Sequence, residues 1–334
     1  MNYLFIFLQY FLQIFGYSFA YLLIAFIVLH LLKIKDSQVK IFIFLLALMK
    51  PPFVLARLID LNSGNFYSQH SFFYFISRMI SRFSNFQSFR NVNFILINNL
   101  VFGSYGIAII VITLLRFYQT YGYFYKLKKE GFLVESEDNE VNSIISHYSD
   151  LMGIKTPKIY FTSDLRNSFY TFGFKTKKII ANKEMLDFLT KDEKETILLH
   201  ELSHVKRNDS ILNAIITYLT DAHFYSPFTY ISYSAIKAEQ EKDCDKFVIK
   251  YSQKTGKEVA INILTSILKI KKNLSETANY SLNLASHFSF YKPLEEASMR
   301  RRINSLINTN PLKIRVNILT KITLYCFFLA LLFF

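Results

Sequence analysis

Apolar residues occur in four long runs that polar and basic segments separate. Residues 3–32 and 94–115 are almost uninterrupted, 41–59 contains a lysine and two prolines, and 316–334 is the last run. A transmembrane helix needs about 20 predominantly apolar residues, because the hydrocarbon core of a bilayer is about 30 Å thick. The pattern therefore predicts a mainly α membrane protein with four transmembrane helices.

Two of these runs leave an alternative open. Residues 3–32 lie where a cleaved signal peptide would lie, but no basic segment precedes them and the run is too long, so we expect a span. Lys50 and Arg57 lie within 41–59, and a charge at membrane depth must snorkel, pair or face a cavity. A re-entrant or interfacial segment is therefore the alternative to a second span.

The segment between the second and third runs predicts a helix of another kind. Residues 71–89 carry phenylalanine, isoleucine and methionine at helical spacing, opposite arginines and serines. This amphipathic pattern is typical of a helix that lies in the membrane interface. The functional alternative is a lid or gate over the transmembrane helices.

Basic residues predict the orientation of the chain. They cluster between the first two runs, after the third run and before the fourth. By the positive-inside rule these ends are cytoplasmic. We therefore expect a multi-pass protein of a bacterial inner (cytoplasmic) membrane, with residues 1–116 and 316–334 as its membrane region. Residues 117–315, between helices 3 and 4, are expected in the cytosol.

Composition agrees with a membrane protein and narrows the classes of partner. The 334 residues are 51% hydrophobic, with 35 Phe and 22 Tyr but no Trp. The net charge of +14 resides largely in membrane-flanking segments without a nucleic-acid-binding motif, so we expect contact with membrane lipid and not with nucleic acid. Two cysteines fit a reducing compartment, and Cys244 is expected to be a small buried residue that is not a ligand. The sequence indicates no oligomeric state.

One stretch within the expected cytosolic domain carries chemistry, the sequence His-Glu-Leu-Ser-His at residues 200–204. A capping-box pattern that begins at Thr190 predicts a helix here. On that helix His200 and His204 are four residues apart and share a face. This is the geometry of adjacent ligands on a tetrahedral zinc ion, with Glu201 beside them to activate a water. A surface helix with two histidines is the alternative.

A second predicted helix, over 228–250, carries acidic residues that can supply a third ligand. Glu241 and Asp245 are four residues apart and share a face. Glu241 is the candidate ligand, and Asp245 can accept a hydrogen bond from the back nitrogen of a ligating histidine. The residues alone leave Glu239 and Asp243 open as alternatives.

The order of these motifs resembles the membrane metallopeptidases of the BlaR/MecR type and, more distantly, the HtpX and CAAX-prenyl-protease group. The resemblance covers residues 140–310 and rests on His-Glu-Leu-Ser-His-Val-Lys-Arg-Asn-Asp, the following Ser-Pro, and Glu241-x-x-Cys244-Asp245. It favours Glu241 as the third zinc ligand of a gluzincin site. It also places Asp209, at the end of the first motif, with Asp245 among the residues that support the ligands.

The resemblance implies a cytosolic α+β gluzincin zinc-peptidase domain between transmembrane helices 3 and 4. In BlaR/MecR-type receptors a ligand-sensing domain follows the last span. This sequence stops at Phe334, within the expected fourth span, so we do not expect the sensing function here.

Strand patterns in this domain suggest where a substrate binds. Lys158–Thr162 is a predicted strand, and Ser168–Phe174 is predicted to form a hairpin with Lys178–Asn182. In zinc peptidases of this general build, a strand beside the metal helix holds an extended substrate through backbone hydrogen bonds. The candidate substrate-binding residues are Ser168, Phe169, Tyr170, Thr171 and Phe172. An ordinary core hairpin is the alternative.

His287 precedes an arginine-rich run that resembles the Ser/Thr-His…Arg-Ile…Leu run of HtpX-like enzymes. In those enzymes a histidine or an arginine can face the oxyanion. The resemblance therefore suggests His287 as a second catalytic residue, which stabilises the oxyanion. A plain solvated histidine is the alternative.

These observations predict a zinc-dependent endopeptidase that cleaves a protein or peptide near the cytosolic face of the membrane, in regulatory signalling or precursor processing. Zn²⁺ is the expected cofactor and Glu201 the expected general base. One alternative is a non-proteolytic signalling or scaffold protein that retains the zinc-peptidase fold. Another is a membrane channel or transporter in which the motif is accidental.

Overall fold

The computed structural model describes most of the chain as helices with one small mixed sheet. The described residues are 3–60, 106–116, 118, 122–162, 169–277, 292–308 and 317–333. The predicted interfacial helix at 71–89, the first part of the third apolar run, Ser168 and His287 lie outside these residues. The prediction of a mainly helical chain that also contains strands is confirmed.

Along the chain, helices precede and follow the strands of the sheet. They are α1 (Tyr3–Leu31), α2 (Ser37–Asp60), α3 (Gly106–Arg116), α4 (Tyr123–Lys129), β1 (Leu133–Glu135), α5 (Asn139–Met152), β2 (Lys158–Thr162), β3 (Phe169–Phe172), β4 (Lys178–Asn182), α6 (Lys183–Asp187), α7 (Lys191–Arg207), α8 (Asp209–Ala222), α9 (Pro227–Ser252), α10 (Gly256–Thr277), α11 (Lys292–Asn308) and α12 (Ile318–Phe333). Two compact units emerge. The first comprises 1–116, 216–236 and 316–334, and the second comprises 117–215 and 237–315.

The first unit contains the apolar helices. Over Ile14–Leu31, α1 is long and apolar enough to cross a membrane, and among the described residues it is the one helix that meets this criterion. The helices α3 and α12 are apolar but shorter. Within this unit α2 packs against both α1 and α12.

Lys50 shows how the charge in the second apolar run is accommodated. Its helix, α2, continues through the two prolines that follow it. Its Nζ donates to the carbonyl oxygens of Leu331 and Leu332, each at 2.9 Å. Carbonyls in the last turn of a helix lack intrahelical partners and carry partial negative charge, so they suit a buried ammonium. Lys50 is therefore paired at the end of α12.

The sheet of the second unit has the strand order β1-β2-β4-β3. The β2–β4 pair is parallel and the other two pairs are antiparallel, so the predicted strand and the predicted hairpin are both confirmed. Side chains alternate between the two faces of a strand. One face, which includes Ile159 and Ile179, packs into the main core with α5, α7, α9, α10 and α11. The other face, which includes Tyr160 and Ile180, packs against α4.

The helix α7 is fixed at its start and along its length. Thr190 and Glu193 form both hydrogen bonds of the predicted capping box, at 3.4 and 2.8 Å. Leu198, Leu199 and Leu202 are fully buried, and burial of each leucine contributes about 2 kcal/mol. Because α5, α10 and β3 all pack on α7, the helix is the axis of the second unit.

The turn after β3 depends on a glycine. Gly173 has a φ of 103°, and a Cβ there would lie 2.2 Å from the backbone oxygen of Thr176. Gly131 provides a matched control, because its φ is 75° but a Cβ would meet no atom within 4 Å. We expect Gly131→Ala to cost about 1–2 kcal/mol for the positive φ alone. Gly173→Ala should cost more, since the turn must also open, and thermal unfolding of the two purified variants should show unequal losses.

Candidate metal centre

Two imidazoles and a carboxylate lie together on α7. The rings of His200 and His204 have centroids 5.1 Å apart. One side-chain donor atom from each of His200, Glu201 and His204 lies within 4.8 Å of the others. The spacing of four residues, which is about one helical turn, therefore produces the shared face that the sequence predicts.

The helix α9 brings Glu241 to the same point. Nε2 of His200 is 3.2 Å from Oε2 of Glu241, and Nε2 of His204 is 3.6 Å from Oε1. Both Nε2 atoms thus converge on one carboxylate. Two imidazole nitrogens and a carboxylate are a donor set that fits a tetrahedral metal ion with its fourth position open. The Glu241 side chain is 30% exposed, so solvent reaches the site.

A carboxylate faces the other nitrogen of each imidazole. Nδ1 of His200 is 3.1 Å from Oδ1 of Asp245, and Nδ1 of His204 is 2.7 Å from Oδ2 of Asp209. A carboxylate in this place holds the proton on Nδ1 and leaves the lone pair of Nε2 for a metal. The structure therefore brings Asp245 and Asp209 behind the two histidines, and this arrangement supports the fit of a metal ion.

The alternative ligands on α9, Glu239 and Asp243, contact basic side chains instead of the two histidines. Glu239 Oε1 is 2.7 Å from Nζ of Lys242, and Asp243 Oδ2 accepts from Nη1 of Arg207 at 2.7 Å. Cys244 is fully buried, with Sγ 3.4 Å from Nδ1 of His204. Burial raises the pKa of the Cys244 thiol well above its usual value, so the group stays a neutral thiol beside the back of the imidazole.

The charged groups of the cluster shift one another's pKa values. Burial alone would lower the pKa of His200, but hydrogen bonds with Asp245 and Glu241 outweigh burial and raise it to about 10. Burial works to raise the pKa of both carboxyls, but the neighbouring cations His200 and Arg302 hold each one below its usual value. A metal ion held by His200 would need the neutral imidazole, so its binding would be coupled to loss of that proton.

Arg302 on α11 completes the cluster, and the sequence did not reveal it. Its Nε and Nη2 donate to Oδ2 and Oδ1 of Asp245 at 2.9 and 2.7 Å. Its Nη1 lies 3.0 Å from Oε2 of Glu241. The available signal was the run of three arginines that begins at Arg300. Successive helical residues point about 100° apart, so such a run can turn one guanidinium inward while the others stay exposed.

Hydrogen bonds fix α9 against α7 and against the start of α8. Arg207 Nη1 donates to the backbone oxygen of Gln240 at 3.2 Å as well as to Asp243. Gln240 Nε2 lies 3.4 Å from Oδ1 of Asp209. The histidines and Glu241 are therefore held on helices that are cross-linked beside the site.

The strand β3 reaches the site through Thr171. Its Oγ1 donates towards the backbone oxygen of Glu201 at 3.2 Å and towards Oε2 at 3.3 Å. Phe169 packs in the main core, on the same face of the sheet as Thr171. Tyr170 and Phe172 lie on the other face, where Phe172 stacks on Phe124 at 4.5 Å. Among the described strands β3 is the last of the sheet order, so the candidate substrate strand is an edge beside Glu201.

Comparison with known proteins identifies a family and several relatives with similar sequences. The family described as BlaR1 peptidase M56 matches residues 76–287. The chain is 29% identical over 184 residues to the regulatory protein BlaR1 of Bacillus licheniformis, a match that covers 55% of this chain and 28% of the relative. It is 27% identical over 161 residues to the methicillin resistance mecR1 protein of Staphylococcus aureus, covering 45% and 27%. It is 22% identical over 179 residues to protease HtpX homolog 2 of Methanosarcina acetivorans, covering 53% and 59%.

These matches carry different weight. The chain spans less than a third of the length of the BlaR1 and mecR1 relatives, so the activities of those whole proteins do not transfer with the match. The family match, however, covers more than half of this chain and includes His200, Glu201, His204 and Glu241. The resemblance stated from the sequence is therefore confirmed. The chain belongs to the BlaR1 peptidase M56 family, the BlaR/MecR type of membrane metallopeptidase.

Proposed function

We propose that this protein is a zinc-dependent endopeptidase embedded in a membrane. One observation carries the proposal: Nε2 of His200 and Nε2 of His204 converge on the Glu241 carboxylate, with Glu201 alongside. Nitrogen and carboxylate ligands of this number are those of a catalytic zinc site. A solvated surface helix would not bury Glu201 or place a carboxylate behind each histidine.

Each residue has a distinct role in the proposed hydrolysis. His200, His204 and Glu241 hold zinc, which when bound activates a water and polarises the scissile carbonyl. Glu201 takes the proton of the attacking water and later gives it to the leaving amine. His287 is proposed to donate a hydrogen bond to the oxyanion of the tetrahedral intermediate.

The edge position of β3 supports the proposed mode of substrate binding. An extended peptide that pairs with β3 gains backbone hydrogen bonds and lies next to Glu201, because Thr171 contacts that carboxylate. Substrates would then be recognised largely through backbone groups. The substrate class is a protein or peptide that presents an extended segment.

The membrane arrangement is part of the same proposal. The apolar length of α1, the apolar character of α3 and α12, and the basic segments around them support four transmembrane helices with a cytosolic catalytic domain. The substrate would be met at the inner face of the membrane. The names of the relatives, a regulatory protein and a protease, support regulatory or processing proteolysis there.

Substitution of the general base tests the activity. We expect Glu201→Gln to retain about one zinc per chain, as a residue outside the ligand set should, and to lose about 100-fold or more in proteolysis. Zinc analysis and proteomics of cells that carry either protein measure the two effects. His200→Ala and Glu241→Ala should lose the metal itself. Stoichiometric zinc in the wild type and in Glu201→Gln, with no substrate that differs between cells, would favour the scaffold alternative.

Substitution of Arg302 tests whether its contacts with Asp245 and Glu241 stabilise the metal site. Arg302→Gln should weaken zinc binding by about 10- to 100-fold in chelator competition, because Asp245 and Glu241 lose the group that orients them. Arg300 is exposed on the same helix, so Arg300→Gln removes one positive charge without touching the site. Equal zinc affinity in the two variants would show that the metal site does not depend on the guanidinium.

Proline scanning tests the substrate edge. In an antiparallel strand, successive backbone donors point to opposite sides, and proline removes the donor. Of Thr171→Pro and Phe172→Pro, one should disrupt pairing with β4 and the other should cut peptide cleavage severely while zinc is retained. Thr171→Val separates the loss of the hydroxyl from the loss of the donor. Wild-type cleavage rates in both proline variants would remove β3 from substrate binding.

A further inference from the structure

Lys177 lies at the end of the turn that joins β3 to β4. Thr171 pairs with Ile179 across the two strands, and Lys177 is two residues before Ile179. Alternation along the chain places Lys177, Ile179 and Thr171 on the same face of the sheet, the face that packs on α7. The side chain is therefore on the side of the sheet where Thr171 contacts Glu201.

Among the residues that the structure describes, the ammonium of Lys177 is buried without a hydrogen-bonding partner. Among the described residues its Nζ is one of few buried side-chain atoms that lack a hydrogen bond. Burial lowers the pKa of Lys177, while the charge of Asp209 acts in the opposite direction. Asp209 is therefore the carboxylate whose field reaches this lysine.

Asp209 does not form an ion pair with the Lys177 ammonium, because both carboxylate oxygens already contact other groups. Oδ2 lies 2.7 Å from Nδ1 of His204. Oδ1 lies 3.3 Å from Nε of Arg207 and 3.4 Å from Nε2 of Gln240. A shift of Asp209 towards Lys177 would withdraw it from the histidine. Within the described part of the chain, Lys177 thus lies in the field of Asp209 but has no carboxylate of its own.

The neighbouring lysines behave differently. Lys178 projects to the other face, where its Nζ lies 4.4 Å from the ring centroid of Phe124. Lys175 is exposed in the turn. Burial of an ammonium without an anionic or hydrogen-bonding partner is unfavourable. A binding site tolerates that cost when the ligand supplies the missing group.

We propose that Lys177 binds a carboxylate of the peptide substrate, a few residues from the scissile bond. The inference rests on the proposed function, since the peptide is taken to lie along β3 past Thr171. A peptide carries carboxylates in two places, the side chains of Asp and Glu and its own C-terminus. Lys177 then makes the enzyme selective for an acidic substrate position next to a zinc site that by itself reads only the backbone.

Direct peptide binding tests this without requiring cleavage. The protein is the full chain with Glu201→Gln, purified in detergent with zinc. The probes are synthetic decapeptides, amidated and otherwise uncharged, in which one Asp, one Asn or one Lys occupies each position in turn. A second set of the Asn peptides ends in a free carboxylate. Fluorescence anisotropy measures binding, and the two sets distinguish an internal carboxylate from a C-terminal one.

We expect one position at which Asp binds about 10-fold or more tightly than Asn, the size expected for one hydrogen bond to a charged group. Lys177→Gln should abolish that preference, and Lys177→Glu should replace it by a preference for Lys at the same position. Lys175→Gln, the matched control, should keep it. Lys177→Gln should fold, because it replaces an unpaired buried ammonium by a neutral amide. Lys177→Glu places a carboxylate in the field of Asp209, so thermal unfolding checks both variants.

Other outcomes separate this inference from the proposed function. Equal binding of Asp and Asn peptides, or a preference that survives Lys177→Gln, overturns the role of Lys177. Cleavage of the same peptides by the wild-type chain without any acidic preference also overturns the role of Lys177. The proposed endopeptidase activity would then still hold. An acidic preference lost in Lys177→Gln, with no cleavage by the wild type, supports the carboxylate site and refutes the endopeptidase.

Discussion

The pairing of buried carboxylates is the constraint on which the rest of the second unit depends. Asp209, Glu241 and Asp245 lie within the contact shell of two histidines, where an unpaired carboxylate would be costly. Each one has a cation or an imidazole as its partner. The carboxylates lie on α8 and α9 and those partners on α7 and α11. The metal site is therefore also the point at which four helices are joined. Its geometry is set by charge balance as much as by the apolar core.

The sequence predicted the parts of this arrangement that depend on local periodicity. A spacing of four residues put His200 beside His204, and the capping box fixed where their helix begins. The β3–β4 hairpin followed from the strand patterns, whereas the expectation that β3 is a substrate edge came from the general build of zinc peptidases. Arg302 was not predictable in this way, because it lies some 57 residues beyond Asp245 and no local rule links the two. The choice of Glu241 over Glu239 likewise needed the resemblance, since helical spacing alone admits both.

Buried cations in the second unit divide into two groups with different consequences. Arg302 and Arg207 each hold at least one carboxylate, so their charges strengthen the framework of the site. The planar guanidinium suits this task because it can engage two oxygens of a carboxylate at once. Lys177 holds none among the described residues. A flexible ammonium contributes little to a framework but can follow a ligand, which fits a role towards substrate better than a role in structure.

The contact between Thr171 and Glu201 joins the two halves of the proposed mechanism. The edge strand that would bind the peptide is the same strand whose hydroxyl lies against the general base. A peptide paired with β3 is therefore aligned with Glu201 by the sheet register and not by a deep pocket. Such alignment fixes the position of the scissile bond relative to Glu201, but it does not select the substrate residues on either side of that bond. A charge placed further along the same face, where Lys177 lies, is the element that can add sequence selectivity to a strand that otherwise reads only backbone.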